Sequence, residues 1–118
     1  MKYAIRQAMR SRCRHKVGAA IVTGNRLLSA SPNIPRNAPT VDYLNATFHA
    51  EEAVLRRIQR ARGTVIYVAR LNAHNIPALA KPCERCQTAL QSAGVVRAYY
   101  TSSPTEIALL DVSRIGLR

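Results

Sequence analysis

The spacing of apolar and polar positions changes repeatedly along this chain, and each change marks a different element. From residue 2 to about 12, Ile5, Ala8 and Met9 share one face while Lys2, Arg6 and Arg10 recur every four residues on another, the pattern of an amphipathic helix. Val17 to Thr23 is a short apolar run, and Gly24-Asn25 suits a tight hairpin turn into a partner strand over Arg26 to Ser31. A long loop is expected from Pro32 to about Phe48, broken by Pro32, Pro35 and Pro39. A loop of that length in a small domain more often carries function than idles. Helical spacing returns from His49 to Arg62, with Ala50, Ala53, Val54, Ile58 and Ala61 inward, Arg56, Arg57, Arg60 and Arg62 outward, and Gly63 as the stop. Thr64 to Arg70 is β-branched and apolar throughout, as a strand covered on both faces would be. After a second loop over 71–81, Cys83 to about Ala93 places Cys86, Ala89, Leu90 and Ala93 on one helical stripe and ends at Gly94. Val95 to Thr101 reads as a further strand. Ser103-Pro104-Thr105-Glu106 then has the form of a capping box with proline at the first helical position, so residues 104 to about 112 are predicted helical.

The order helix, hairpin, helix, strand, helix, strand, helix implies an α/β fold with a mixed sheet and at least one right-handed parallel crossover. At 118 residues, one domain spanning 1–118 is expected, with a single core. Apolar runs such as Val65 to Ala69 are far too short to cross a bilayer, and nothing resembles an export signal. Three cysteines is an odd count and not a disulfide framework, so the reducing cytoplasm is the expected compartment. Charge adds a second strong feature: 18 Lys and Arg stand against six Asp and Glu, a formal net charge of +12. That excess attracts polyanions, from nucleotides to nucleic acid, and alone does not separate the two.

The chemistry lies in two short strings 34 residues apart, His49-Ala50-Glu51 and Pro82-Cys83-Glu84-Arg85-Cys86. One imidazole and two thiolates offer three ligands, which leaves a tetrahedral zinc one open position. A carboxylate two residues from the histidine is placed to carry protons at that position. Cys83 and Cys86, three apart at a helix start, turn their sulfurs to one side, and the helix N-terminus favours thiolate charge. Two other readings of the cysteines stay open: a redox pair, and a closed structural zinc completed by Cys13.

His-x-Glu followed by Pro-Cys-x-x-Cys is the signature of zinc-dependent nucleobase deaminases, and over roughly residues 15 to 101 the chain resembles the cytidine deaminase superfamily. The stretch from Ile66 to Cys86 and the helix opening His49-Ala50-Glu51-Glu52-Ala53 are most similar to deoxycytidylate-deaminase-like proteins, including phage-encoded ones. The resemblance implies a three-layer α/β/α sandwich with four to five strands. With only six residues after Val112, the family's fifth strand is expected to be lost or shortened. It implies one Zn2+ per chain held by His49, Cys83 and Cys86, with Glu51 as the catalytic acid/base. Substrate-binding residues are carried over in the same way: Asn33 for the sugar or base, the Ala50 amide for the base carbonyl, the Pro82 carbonyl for the exocyclic amine. Tyr100, or its neighbour Tyr99, would be an aromatic contact, Tyr43 a stacking group in the long loop, and Arg36 a partner for phosphate. His15 and His74 are read as loop surface. A homo-oligomer is implied too.

The implied reaction is hydrolytic conversion of cytosine to uracil, in a free cytosine nucleotide such as dCMP. Two alternatives stand beside it. One is deamination of cytosine or adenine within single-stranded DNA or RNA, although aromatics make up only 5% of the chain, so base-stacking platforms are few. The other is a non-enzymatic, zinc-stabilised nucleic-acid-binding module.

Overall fold

The structure is a computed structural model that describes residues 1–35 and 47–115. Helix α1 (Lys2–Arg10) leads into the hairpin of β1 (Lys16–Thr23) and β2 (Arg26–Pro32), which turns tightly at Gly24 with φ +56°. Two short strands, β3 (Ile34–Pro35) and β4 (Thr47–Phe48), pair antiparallel just before helix α2 (Ala50–Arg56). Then come β5 (Val65–Leu71), the two-residue β6 (Pro77–Ala78), helix α3 (Glu84–Ala93), β7 (Arg97–Thr101), β8 (Ile107–Asp111) and a 3-10 turn over Val112–Arg114. The main sheet runs β2-β1-β5-β7-β8, with β6 on the end of β5. Among the described residues β5 and β7 are the parallel pair, joined across α3, and the other pairings are antiparallel.

Alternation along the strands separates two packed faces. Ala19, Ile21, Ile66, Val68 and Ala98 point to one side, where Ala50 and Val54 of α2 and Leu90 of α3 close the core. The other face carries α1, drawn close because β1 has a glycine under it. A β-carbon at Gly18 would sit 2.2 Å from the Ala4 carbonyl oxygen and 2.3 Å from the Ala8 amide nitrogen. Ala4 and Ala8 are accordingly sealed against the sheet at 0% exposure. The result is three layers, α1 on one side and α2 with α3 on the other. Helix α3 ends as its sequence requires: Gly94 takes φ +92°, and Val95 N–H donates to Leu90 O in a left-handed cap.

Two expectations change. The helix predicted over 104–112 is instead the strand β8, so a fifth long strand is present and, with β6, the main sheet has six. The capping signal is real but serves a turn: Ser103 Oγ accepts from the Thr105 and Glu106 amides, while Ser102 N–H donates to Glu106 O. The two bonds to Ser103 Oγ are local and fit a hairpin turn as well as a helix start, whereas the Ser102–Glu106 bond belongs to the hairpin. What decides is the open edge of β7, whose backbone groups gain a full antiparallel ladder from Ile107–Asp111. The helix opening at His49 is also shorter than predicted, ending at Arg56. Ile58 and Ala61 still pack inward from the irregular stretch that follows.

Candidate active site and metal centre

Each half of the site begins at a helix N-terminus. His49 is the N-cap of α2 and Cys83 the N-cap of α3, both in extended backbone conformation, with Glu51 and Cys86 inside the first turns. The two helices lie side by side on the core face, so their starts meet. His49 Nδ1 lies 3.7 Å from Cys83 Sγ and 3.2 Å from Cys86 Sγ, and the three ligand atoms are all within 4.8 Å of one another. Tetrahedral zinc with bonds of about 2.0–2.3 Å needs nitrogen and sulfur ligands roughly 3.5–3.8 Å apart. The donor set and its spacing fit that ion. Cys13 is not part of the cluster: it is buried elsewhere, with its thiol directed at Asn33 O, 3.5 Å away. The fourth ligand of a closed site therefore does not come from Cys13.

Glu51 lies beside this cluster, 5% exposed. Burial raises its pKa above the usual carboxylate range, while its own backbone amide and the Cys86 thiol pull it back by donating hydrogen bonds. Burial also pushes the Cys86 thiol well up, helped by the nearby charge of Glu51 and Cys83. A divalent cation therefore has to displace a proton from Cys86, so metal binding and proton release are coupled here. Arg85, exposed at the surface, donates to Glu52 Oε1 at 2.7 Å and couples electrostatically to both cysteines, offsetting thiolate charge.

A cavity of about 300 Å3 opens over these groups, lined by His49, Ala50, Glu51 and Cys83, with Asn33, Val17 and Ala80 on its walls. Arg70, Lys81, His15 and Leu79 line it as well. It lies toward the carboxyl end of β5, where α/β sheets commonly bind ligands. Asn33 is on the wall, but most of its side chain is already engaged. Its Oδ1 accepts from Ser11 Oγ and from Val17 N–H (3.1 Å), and its Nδ2 donates to His15 O (2.7 Å). One amide hydrogen is left to meet a ligand. Pro82 is buried, and its carbonyl accepts from Gln87 Nε2 at 2.8 Å, which leaves one lone pair. Tyr100 packs against the core and does not line the cavity. Tyr99 points to the opposite face and stacks on Tyr67, ring centroids 5.3 Å apart at 15°. Neither tyrosine lines this cavity, because alternation turns one into the core and the other to the α1 side. Arg36 and Tyr43 lie outside the described residues.

Sequence reading missed Arg70, Lys81 and the position of His15. Their one signal was an arginine ending an otherwise apolar buried strand. Only the pairing of Val17 with Arg70 shows that His15 and Arg70 reach one wall.

Comparison with known proteins agrees with this geometry. Residues 1–102 match the cytidine and deoxycytidylate deaminase zinc-binding region. No curated protein matches the chain. Among solved structures, the dCMP deaminase of cyanophage S-TIM5 in apo form is 24% identical, covering 84% of this chain and 76% of its own, with a TM-score of 0.65. The same enzyme in complex with dCMP and dUMP is 22% identical, covering 84% and 75%, at 0.65. Cytidine deaminase from Burkholderia pseudomallei is 16% identical but covers 97% of this chain and 91% of its own at 0.74, so the fold is shared almost end to end. With the match running through both ligand-bearing helix starts and the ligands converging as that zinc-binding region requires, the chain belongs to the cytidine and deoxycytidylate deaminase family of zinc-dependent deaminases.

Proposed function

We propose that this protein hydrolytically deaminates the cytosine base of a free nucleotide, dCMP being the expected substrate, with His49, Cys83 and Cys86 holding one zinc. The observation that carries the reading is the placement of the buried Glu51 carboxyl against the His49–Cys83–Cys86 cluster, with Glu51, His49 and Cys83 lining one cavity. Zinc bound there would act as a Lewis acid and make water nucleophilic near neutral pH. Glu51 has the remaining work: it takes a proton from the attacking water and delivers it to the ring nitrogen. It then takes the second proton from the new C4 hydroxyl and delivers it to the departing amine, so both hydrogens of the water are accounted for in uracil N3–H and ammonia. Its raised pKa suits both directions of transfer. Asn33, with one free amide hydrogen, and the Ala50 amide and Pro82 carbonyl are the groups we assign to orienting base and sugar. A related cyanophage enzyme has been captured with dCMP and dUMP, which supports a nucleotide substrate. Further parts of this reading are a homo-oligomeric assembly and action in the cytoplasm. Among the described residues no helix is long and apolar enough to cross a membrane.

The test is incubation of the zinc-loaded protein with dCMP, dCTP, deoxycytidine and a cytosine-bearing single strand, with uracil products followed by mass spectrometry. Formation of dUMP from dCMP supports the reading. The net charge of +12 favours one second reading, deamination within a single strand. Each phosphate neutralised there adds about 0.7 to the log–log salt slope, so strand turnover would fall steeply with salt and dCMP turnover only gently. Uracil in the strand with no dUMP from dCMP would move the assignment to the strand.

A further inference from the structure

The cavity lining mixes apolar and cationic groups. Ala50, Val17 and Ala80 line it together with Arg70, Lys81 and His15, and Val17 is the register partner of Arg70. Glu51 is the one carboxylate among the lining residues, and it belongs to the chemistry already described. Arg70 is held firmly for a side chain so near a cavity. Its strand position is fixed opposite Val17 on β1 and Ala78 on β6. Its amide N–H donates to Thr101 Oγ1 at 3.2 Å, and Thr101 in turn donates to Ala78 O at 2.6 Å. Alternation with Ile66 and Val68 puts Arg70 on the core face of the sheet, the face that carries α2 and Glu51.

The guanidinium itself is only partly used. One Nη2 hydrogen goes to His15 Nδ1 at 3.2 Å, and since arginine only donates, this fixes His15 as the acceptor there, with its ring proton on Nε2. Arg70 Nε is buried and has no hydrogen-bond partner among the described residues. A buried donor of that kind calls for an acceptor. The acceptor that suits a guanidinium edge, an exposed Lys81 ammonium and an imidazole N–H on one cavity is a phosphate group, with several oxygens and negative charge.

We propose that Arg70, with Lys81 and His15, forms the subsite that binds the 5′-phosphate of the nucleotide substrate. The subsite rests on the deaminase reading above and deepens it, since it makes the enzyme select a nucleoside monophosphate over the free nucleoside. Arg36, the residue expected at the phosphate from the sequence, lies outside the described residues. Lys81 precedes the Pro82-Cys83 ligand segment directly, so the anion and the metal are held by one short stretch of chain.

Two measurements test this. First, kcat/KM for dCMP is divided by that for deoxycytidine in the wild-type protein, Arg70→Gln and Lys81→Gln. One lost charge-assisted hydrogen bond should lower that ratio by at least about tenfold in Arg70→Gln. A purely structural role for Arg70 would lower both rates together and leave the ratio unchanged, which would overturn the proposal. Lys81→Gln, at an exposed position, gives the same comparison without risk to the fold. Second, calorimetric binding of dUMP and deoxyuridine reads the subsite without turnover. Preference for dUMP should shrink in both variants, and equal binding of the two by the wild-type protein would overturn the proposal. If the wild-type protein deaminates deoxycytidine as well as dCMP, the phosphate subsite is wrong and the deaminase reading stands. If it deaminates neither, the deaminase reading fails, and the dUMP comparison still decides whether Arg70 binds phosphate. If Arg70→Gln impairs only a cytosine-bearing strand, the phosphate is a backbone diester and the monoester assignment is overturned.

Discussion

Replacing Gly18 by alanine tests whether the approach of α1 to the sheet is as close as described. The added methyl would lie 2.2 Å from Ala4 O, 2.3 Å from Ala8 N and 2.8 Å from Gln7 C, whereas ordinary contacts begin at 3.4 Å. All three neighbours are backbone atoms, so no side-chain rotation relieves the clash and the helix must lift by roughly 1 Å, enough to forfeit up to about half the dispersion attraction across the contact. Overpacking of this kind costs about 1–3 kcal/mol, and a rigid backbone neighbour puts this case at the upper end. Against it stands only the smaller unfolded-state entropy of alanine, worth about 0.4–1 kcal/mol. A net loss of about 2 kcal/mol should lower the melting temperature of a domain this size by roughly 6–12 °C. Thermal and urea unfolding should be compared at one fixed zinc concentration, because bound metal adds its own stabilisation. A Gly18→Ala protein that melts with the wild type, or above it, would refute the packing argument. Gly24→Ala is the contrasting case, since nothing lies within 4 Å of its β-carbon and only its φ of +56° opposes the change. Its loss should be about 1 kcal/mol, since a residue with a β-carbon at positive φ costs about 1–2 kcal/mol and the smaller unfolded-state entropy of alanine returns about 0.4–1.

Glu51→Gln should keep the fold and one zinc per chain while losing at least about 10²-fold in turnover, because a carboxamide fills the same space without shuttling protons; near-normal dCMP turnover would remove Glu51 from the mechanism. Cys83→Ala and Cys86→Ala should lose zinc by elemental analysis, with Cys86→Ala also less stable since its side chain is fully buried; full occupancy in either would refute the ligand assignment. Cys13→Ser should retain its metal, and loss of zinc would return the closed structural site as the better account. Asn33→Ala should destabilise the protein by about 2–4 kcal/mol in urea unfolding, because it strands buried partners at Ser11, His15 and Val17; an unchanged midpoint would show that the network carries no stability.

The metal centre was legible because its chemistry is local. Histidine two residues before glutamate, and cysteines three apart at a helix start, carry their meaning within one helical turn each. The core strands and α3 were legible for a related reason, since continuous apolar runs and terminal glycines act over short distances. What escaped depended on partners remote in sequence. Ser103 to Glu106 makes the same local hydrogen bonds in a turn as in a helix, and the bare edge of β7 chose between them. Asn33 looked like a substrate contact in a loop, yet it mainly ties residues 11, 15 and 17 together. Arg70 read as the polar end of a strand, and its use depends on the β1–β5 register that brings His15 to the same wall. Tyr99 and Tyr100 could be told apart by alternation, but which of them faced the core required the sheet.

The Tyr67–Tyr99 stack gives the protein an internal spectroscopic reporter. Tyr67 and Tyr99 are register partners across the β5–β7 pair, and the chain contains no tryptophan to mask them. Near-ultraviolet circular dichroism of this protein is therefore dominated by its five tyrosines, with one phenylalanine beside them, and two rings fixed 5.3 Å apart couple their transitions. Parallel pairing closes a long stretch of chain and is a slow, non-local event in folding. A collapsed state with native helices but an unjoined β5–β7 seam would keep its far-ultraviolet signal and lose the coupled tyrosine band. Followed during refolding, that band times the moment when the two halves of the sheet meet.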